Sequence, residues 1–176
     1  EGKEYNPEEE KKLWEKGILC SPPFVAFLVE EKIKELAEKS ENLLLAGSPR
    51  TLYEAEKIMP LLEELYGKNN IKAIIIEISA EQTIWRNSHR RICELMRHPI
   101  LHTKETEKLD KCPLDGSILV KREGLDNPET IKIRLKEYQE RTFPIFEYFE
   151  KQGFSIKKIN GEQSVADVFS DILKII

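Results

Sequence analysis

The sequence is short of glycine. Only eight occur in 176 residues, and none introduces a Gly-Lys-Ser/Thr. A glycine-rich loop that cradles phosphates with its backbone N–H groups is therefore missing from these residues. Cysteine is scarce as well. The three present, Cys20, Cys93 and Cys112, are an odd and sparse set, which argues against a disulfide framework and for a reducing cytoplasm. No apolar run approaches the roughly 20 residues of a membrane span. The opening EGKEYNPEEEKK is acidic and has no apolar stretch of the signal-peptide kind. A net charge of −4 leaves no overall basic footprint, which excludes nucleic acid as an expected partner.

What is present suits one globular domain with a small insertion. The chain is 40% hydrophobic and 34% charged, and its length can bury a real core. PEEEKKLWEK reads as a short helix stopped by Gly17. Ser21-Pro22-Pro23 opens a second helix near 22–39. Asn42 to Ala46 is a short apolar strand, and Thr51 to Tyr66 is helical. IKAIIIEI at 71–78 reads as a strand buried on both faces, as in a parallel sheet. Ser79 caps a helix of about 80–92. Residues 93–124 change character and read as an inserted subdomain. Asn127-Pro128-Glu129 starts a long helix to about 151, bent or divided at Pro144. FSIKKIN is another strand, and Ser164 caps a last helix with Val165, Val168, Phe169, Ile172 and Leu173 on a buried face. Strand and helix alternate from residue 42 onward, which is α/β organisation with a parallel sheet flanked by helices.

Chemistry is carried by arginines. Arg50 follows an apolar run in LLLAGSPRTLYE, at the strand end where open α/β sheets bind ligands. Arg86 and Arg90 are four apart on one helix. Arg122 closes the insert and Arg134 lies on the helix after it. Any one of these is more simply a solvated side chain paired with nearby glutamates. The set, spaced around an insert, suits a polyphosphate or a transferring phosphoryl group, because a guanidinium offers a rigid, permanently charged fork.

Four stretches then carry a family resemblance. LLLAGSPRTLYEAE resembles the D-G-F-P-R-T-x-x-Q-A segment of adenylate kinases. RNSHRRIC resembles the segment leading into their mobile lid. KCPLDGSILVKREGLDNPETIKIRLKEYQERTFP resembles the second half of that lid and the next helix, and KINGEQSVADVF the closing strand, turn and helix. The resemblance implies a P-loop NTPase fold of the adenylate-kinase kind. It would comprise an AMP-binding helical subdomain at 1–40, core segments at 41–92 and 126–176, and a lid at 93–125. It implies reversible phosphoryl transfer from ATP to AMP giving two ADP, with magnesium on ATP, in a cytoplasmic monomer.

It also assigns residues. Arg50 matches the arginine that holds the phosphate of AMP, and Glu54 stands where a Gln reads its adenine. Arg86 and Arg90 match lid-side arginines on the phosphates of ATP. Arg122 and Arg134 match the pair that clamps the transferring group and AMP, with Asp126 as one lid acid and Leu125 replacing the other. The backbone near Gln163 matches the wall beside the ATP adenine. Gly17 and Cys20 match the AMP-binding subdomain. Cys93, Cys112 and Asp115 occupy positions of a four-ligand zinc site in the lid. Met96 fills the fourth, where His98 is the substitute; the alternative is a metal-free lid held by packing.

Two departures weigh against full activity. The family's phosphate loop lies ahead of the point where this chain begins, so the chain reads as an amino-terminally incomplete kinase that is inactive alone. Ala46 replaces the Asp that organises magnesium water. Two other readings stay open: a kinase for another nucleoside monophosphate, and a non-catalytic nucleotide-binding module.

Overall fold

The computed structural model describes residues 5–15, 20–122 and 126–176. These form two compact units, one of Glu1–Ile75, Tyr138–Lys157 and Ile176, the other of Ile76–Glu137 and Lys158–Ile175. Expectations for Gly17 and Leu125 lie outside the described residues.

The first unit is built on helices α1 (Pro7–Glu15), α2 (Pro22–Glu38), α3 (Leu52–Tyr66) and α6 (Pro144–Lys151). Helix α3 starts because Thr51 is extended and its hydroxyl accepts the N–H of Glu54. It ends at Gly67, whose φ of 79 suits a residue without Cβ. Ala55, Ile58, Met59 and Leu62 recur at helical spacing, and all are buried with Ile33 of α2, Ile145 of α6 and Phe154. Burying a side chain such as Ile33 or Ile58 contributes about 1.5–3 kcal/mol.

The helix expected to run from 128 to 151 is divided as Pro144 foretold. Helix α5 (Pro128–Glu137) is followed by a π turn at Tyr138–Thr142, and α6 begins at Pro144. Proline lacks the N–H that would continue the ladder, and it is well placed in a helix's first turn.

Strands β1 (Ala73–Glu77) and β5 (Ile156–Asn160) lie side by side in a two-stranded parallel sheet. Three expectations are corrected here. Residues 42–46 form no strand, and Leu44 is 94% exposed. A strand exists through its ladder, and among the described residues none pairs with this stretch. For the same reason β1 is not buried on both faces: Ile76 is 49% exposed. The last helix, α7 (Val165–Leu173), is capped by Ser164 as expected. Its apolar face is not buried, since Val165, Phe169 and Leu173 are all exposed. Helical spacing establishes amphipathicity but not what covers the stripe.

In the second unit, α4 (Ala80–His89) is capped by Ser79 and ends three residues earlier than expected. The chain turns there into β2 (Arg91–Cys93), which pairs antiparallel with β3 (Pro99–Ile100) and β4 (Leu119–Val120). Cys93, Ile100 and Cys112 form a small buried core beside Leu119. Gly161 ends β5 against β1. A Cβ there would meet Ile76 Cγ2 at 2.6 Å and the Glu77 carbonyl oxygen at 2.8 Å.

Candidate functional site

In the first unit, Arg50 sits in a tight turn. Gly47 has φ +94, and the Ser48–Pro49 peptide is cis. The Arg50 N–H donates to Glu54 Oε2 at 2.8 Å, and the Arg50 carbonyl accepts from Thr142 Oγ1 at 2.8 Å. Glu54 is buried, its carboxylate also taking the hydroxyls of Ser48 and Thr51. Cys20 lies elsewhere in the unit, half-buried, with its thiol toward the Glu10 carbonyl. Burial, and then the Glu10 charge, push its pKa up. Buried Glu10 accepts from both the N–H and the hydroxyl of Ser21, tying α1 to the start of α2.

The second unit gathers guanidiniums. Arg90 grips Asp126 through two bonds, Nη2 to Oδ1 at 2.7 Å and Nε to Oδ2 at 3.3 Å. Arg122 Nε stands 3.7 Å from the same carboxylate, within ion-pair range but beyond a hydrogen bond, and is buried without a hydrogen-bond partner. Burial lowers the Arg122 pKa. Asp126 opposes that shift, while Arg90, Arg134 and Arg97 reinforce it. Two guanidiniums thus face the buried Asp126 carboxylate, and Arg97 and Arg134 add positive charge near Arg122. Arg97 was missed from sequence because it lies inside the insert, on a left-handed turn with φ 58 that its type does not announce.

Arg86, matched by the resemblance to a lid-side arginine on the phosphates of ATP, here bonds to backbone. Its Nη1 and Nη2 donate to the carbonyls of Gly161 and Glu162 at 2.7 and 3.0 Å. Glu162 in turn accepts the Ser79 N–H at 2.9 Å, and the Ser79 hydroxyl, then its N–H, hold that carboxyl below the usual range. The Gln163 amide donates to Asp171 at 2.7 Å. Arg86 therefore braces the turn that carries Gln163.

The lid residues converge. Cys93, His98, Cys112 and Asp115 bring one donor atom each to within 4.8 Å of one another. His98 Nδ1 lies 3.4 Å from Cys93 Sγ, 3.6 Å from Cys112 Sγ and 3.2 Å from Asp115 Oδ2. The Cys93 thiol donates to Asp115 at 3.0 Å, and with the Ser117 hydroxyl it holds that carboxyl well below its ordinary range. Zinc bonds of about 2.0–2.3 Å place tetrahedral neighbours roughly 3.3–3.8 Å apart; the two thiols lie 3.4 and 3.6 Å from the imidazole and the carboxylate slightly closer, so the four could hold a metal ion after small shifts. Arg97, directly before His98, has the left-handed φ of 58. Met96, 63% exposed, takes no part.

Among the described residues no helix is long and apolar enough to cross a membrane. A sequence-family profile described as adenylate kinase matches residues 3–154. An adenylate kinase of Staphylococcus aureus (strain Mu50) is 33% identical over 172 residues, covering 96% of this chain and 77% of that one. One from Petrotoga mobilis is 33% identical over 170 residues, covering 94% and 74%. One from Staphylococcus epidermidis is 32% identical over 172 residues, covering 96% and 77%.

Proposed function

The chain belongs to the adenylate kinase family, and on that footing we propose which of its residues carry phosphoryl transfer from ATP to AMP, giving two ADP. Arg122, Arg90 and Arg134 clamp the transferring group. The supporting observation is the balance of described charges acting on Arg122: the guanidiniums of Arg90, Arg97 and Arg134 on one side and, among the described residues, the carboxylate of Asp126 on the other. Such a cluster carries surplus positive charge and a buried, unpartnered N–H at Arg122. A phosphate oxygen supplies both the countercharge and the acceptor.

Arg50 binds the phosphate of AMP, and Cys20 and Gly17 belong to the subdomain at 1–40 that holds this substrate. Arg86 keeps the turn beside Gln163 in place for ATP. Residues 93–125 act as the lid, with core at 41–92 and 126–176. Catalysis is positioning and charge neutralisation, with no covalent intermediate on the protein. Magnesium bound with ATP would supply charge neutralisation at the phosphates, and Ala46 offers it no carboxylate. Zinc held by Cys93, His98, Cys112 and Asp115 would cross-link the strand β2 to the loop before β4. The enzyme works as a cytoplasmic monomer.

The test is a coupled ADP-forming assay on the full-length protein. Arg122→Ala should lower kcat by about 10²–10³, the usual loss for one preorganised donor to developing charge. A kcat equal to the parent's would refute the clamp.

A further inference from the structure

Glu54 is 3% exposed, and its carboxylate is spent on its own turn. Oε2 accepts from the Arg50 N–H at 2.8 Å and the Ser48 hydroxyl at 3.2 Å, and Oε1 accepts from the Thr51 hydroxyl at 3.0 Å. A carboxylate offers about four acceptor sites, so little of this one is left for a ligand. An ionised carboxylate is also acceptor-only, whereas the pairing edge of adenine sets an acceptor nitrogen beside its amino donor. The residue is poorly suited to reading that base.

What it is suited to is Arg50. The turn fixes the backbone of this residue at two places and leaves room for its guanidinium beside Gly47. Its N–H is held by Glu54, its carbonyl by Thr142 at 2.8 Å, and its guanidinium lies where a Cβ on Gly47 would stand 2.9 Å from Nη2. Thr142 reaches the carbonyl from the π turn at Tyr138–Thr142, a distortion often found at functional positions. We propose that Glu54 and Thr142 are positioning residues: together they lock the backbone of Arg50 so that its guanidinium meets the monophosphate, and Glu54 does not select the base. This rests on the role given to Arg50 above.

Steady-state kinetics on the full-length enzyme test it, with AMP, GMP, CMP and UMP as acceptors and with ATP varied separately. Glu54→Ala and Thr142→Val should each raise KM for AMP about tenfold, the equivalent of one lost hydrogen bond to a positioned group. KM for ATP should stay within about twofold. Glu54→Gln should recover most of the loss, because an amide oxygen can still accept from Arg50 and Ser48 while the Thr51 hydroxyl turns to accept from the amide nitrogen. The order of preference among the four acceptors should not move in any variant. A tenfold change in that order with Glu54→Gln would overturn the proposal and make Glu54 a base reader. An equal rise in KM for both substrates, with a lowered melting temperature, would reduce the pair to structural support. Thr142→Val keeps the test open should Glu54→Ala fail to fold. Arg50→Ala separates the layers. If it leaves KM for AMP unchanged, the phosphate role of Arg50 falls and takes the proposal with it. If it raises KM while Glu54→Ala and Thr142→Val behave as the parent, only the positioning role falls.

Discussion

Gly161→Ala is a one-carbon change with a large expected cost. The backbone of Gly161 is not left-handed, so alanine brings no conformational strain of that kind; the issue is space. The new Cβ would lie 2.6 Å from Ile76 Cγ2 and 2.8 Å from the Glu77 carbonyl oxygen. The second neighbour is backbone and cannot swing aside. Relief requires Gly161 to move off Glu77, which stretches the 2.7 Å bond from its N–H to the Glu77 carbonyl. Overpacking costs about 1–3 kcal/mol and a weakened hydrogen bond about 0.5–1.5. A total of about 2–4 kcal/mol lowers the melting temperature of a chain this size by about 5–15 °C. The Gly161 carbonyl is also a partner of Arg86, so KM for ATP should rise more than KM for AMP. Gly116→Ala is the control. Its φ is +74 but no atom lies within 4 Å of a Cβ, so only left-handed strain applies, about 1–2 kcal/mol. Thermal melts monitored by circular dichroism compare the two. A Gly161→Ala melt within about 1 °C of the parent would refute the close-packing argument.

Other outcomes are equally direct. Metal analysis should find about one zinc per chain in the parent and in Met96→Ala, and none in Cys93→Ser, since Met96 lies outside the donor set. Ile58→Ala removes a side chain with no exposed surface and should cost about 2–5 kcal/mol in urea unfolding. The Cys20 thiol is raised by burial first and the Glu10 charge second, so its reactive thiolate is depleted at neutral pH. Its alkylation by iodoacetamide, read site by site by mass spectrometry, should be slower than that of a free cysteine at pH 7.5. The rate should keep climbing beyond pH 9, and equal rates at pH 7.5 would contradict the shift.

Local chemistry was legible in the sequence wherever a residue acts on its own neighbours. Thr51, Ser79 and Ser164 each announce a helix start, and each hydroxyl accepts an N–H three residues on. The resemblance points to Cys93, Cys112 and Asp115 with His98 as substitute for Met96, and these four donor atoms lie within 4.8 Å of one another. Non-local features were not legible. The apolar runs at 42–46 and on α7 look buried because hydrophobicity reads as burial until the neighbour is known. Glu54 was identified by position, yet the direction of its carboxylate depends on a turn whose geometry no spacing encodes. The Arg86 bond to the Gly161 carbonyl links residues 75 positions apart, which no local pattern encodes.

Asp126 is one anion serving two guanidiniums, 2.7 Å from Arg90 and 3.7 Å from Arg122. Effects at those two arginines are therefore not additive. Removing Arg90 frees the carboxylate to draw in Arg122, and removing Arg122 leaves Arg90 holding it alone. A single alanine at Arg90 that alters turnover only slightly would then show compensation by its neighbour and not idleness. The coupling is measured by the Arg90/Arg122 double-mutant cycle, in which the departure from summed single effects is a property of the shared acid.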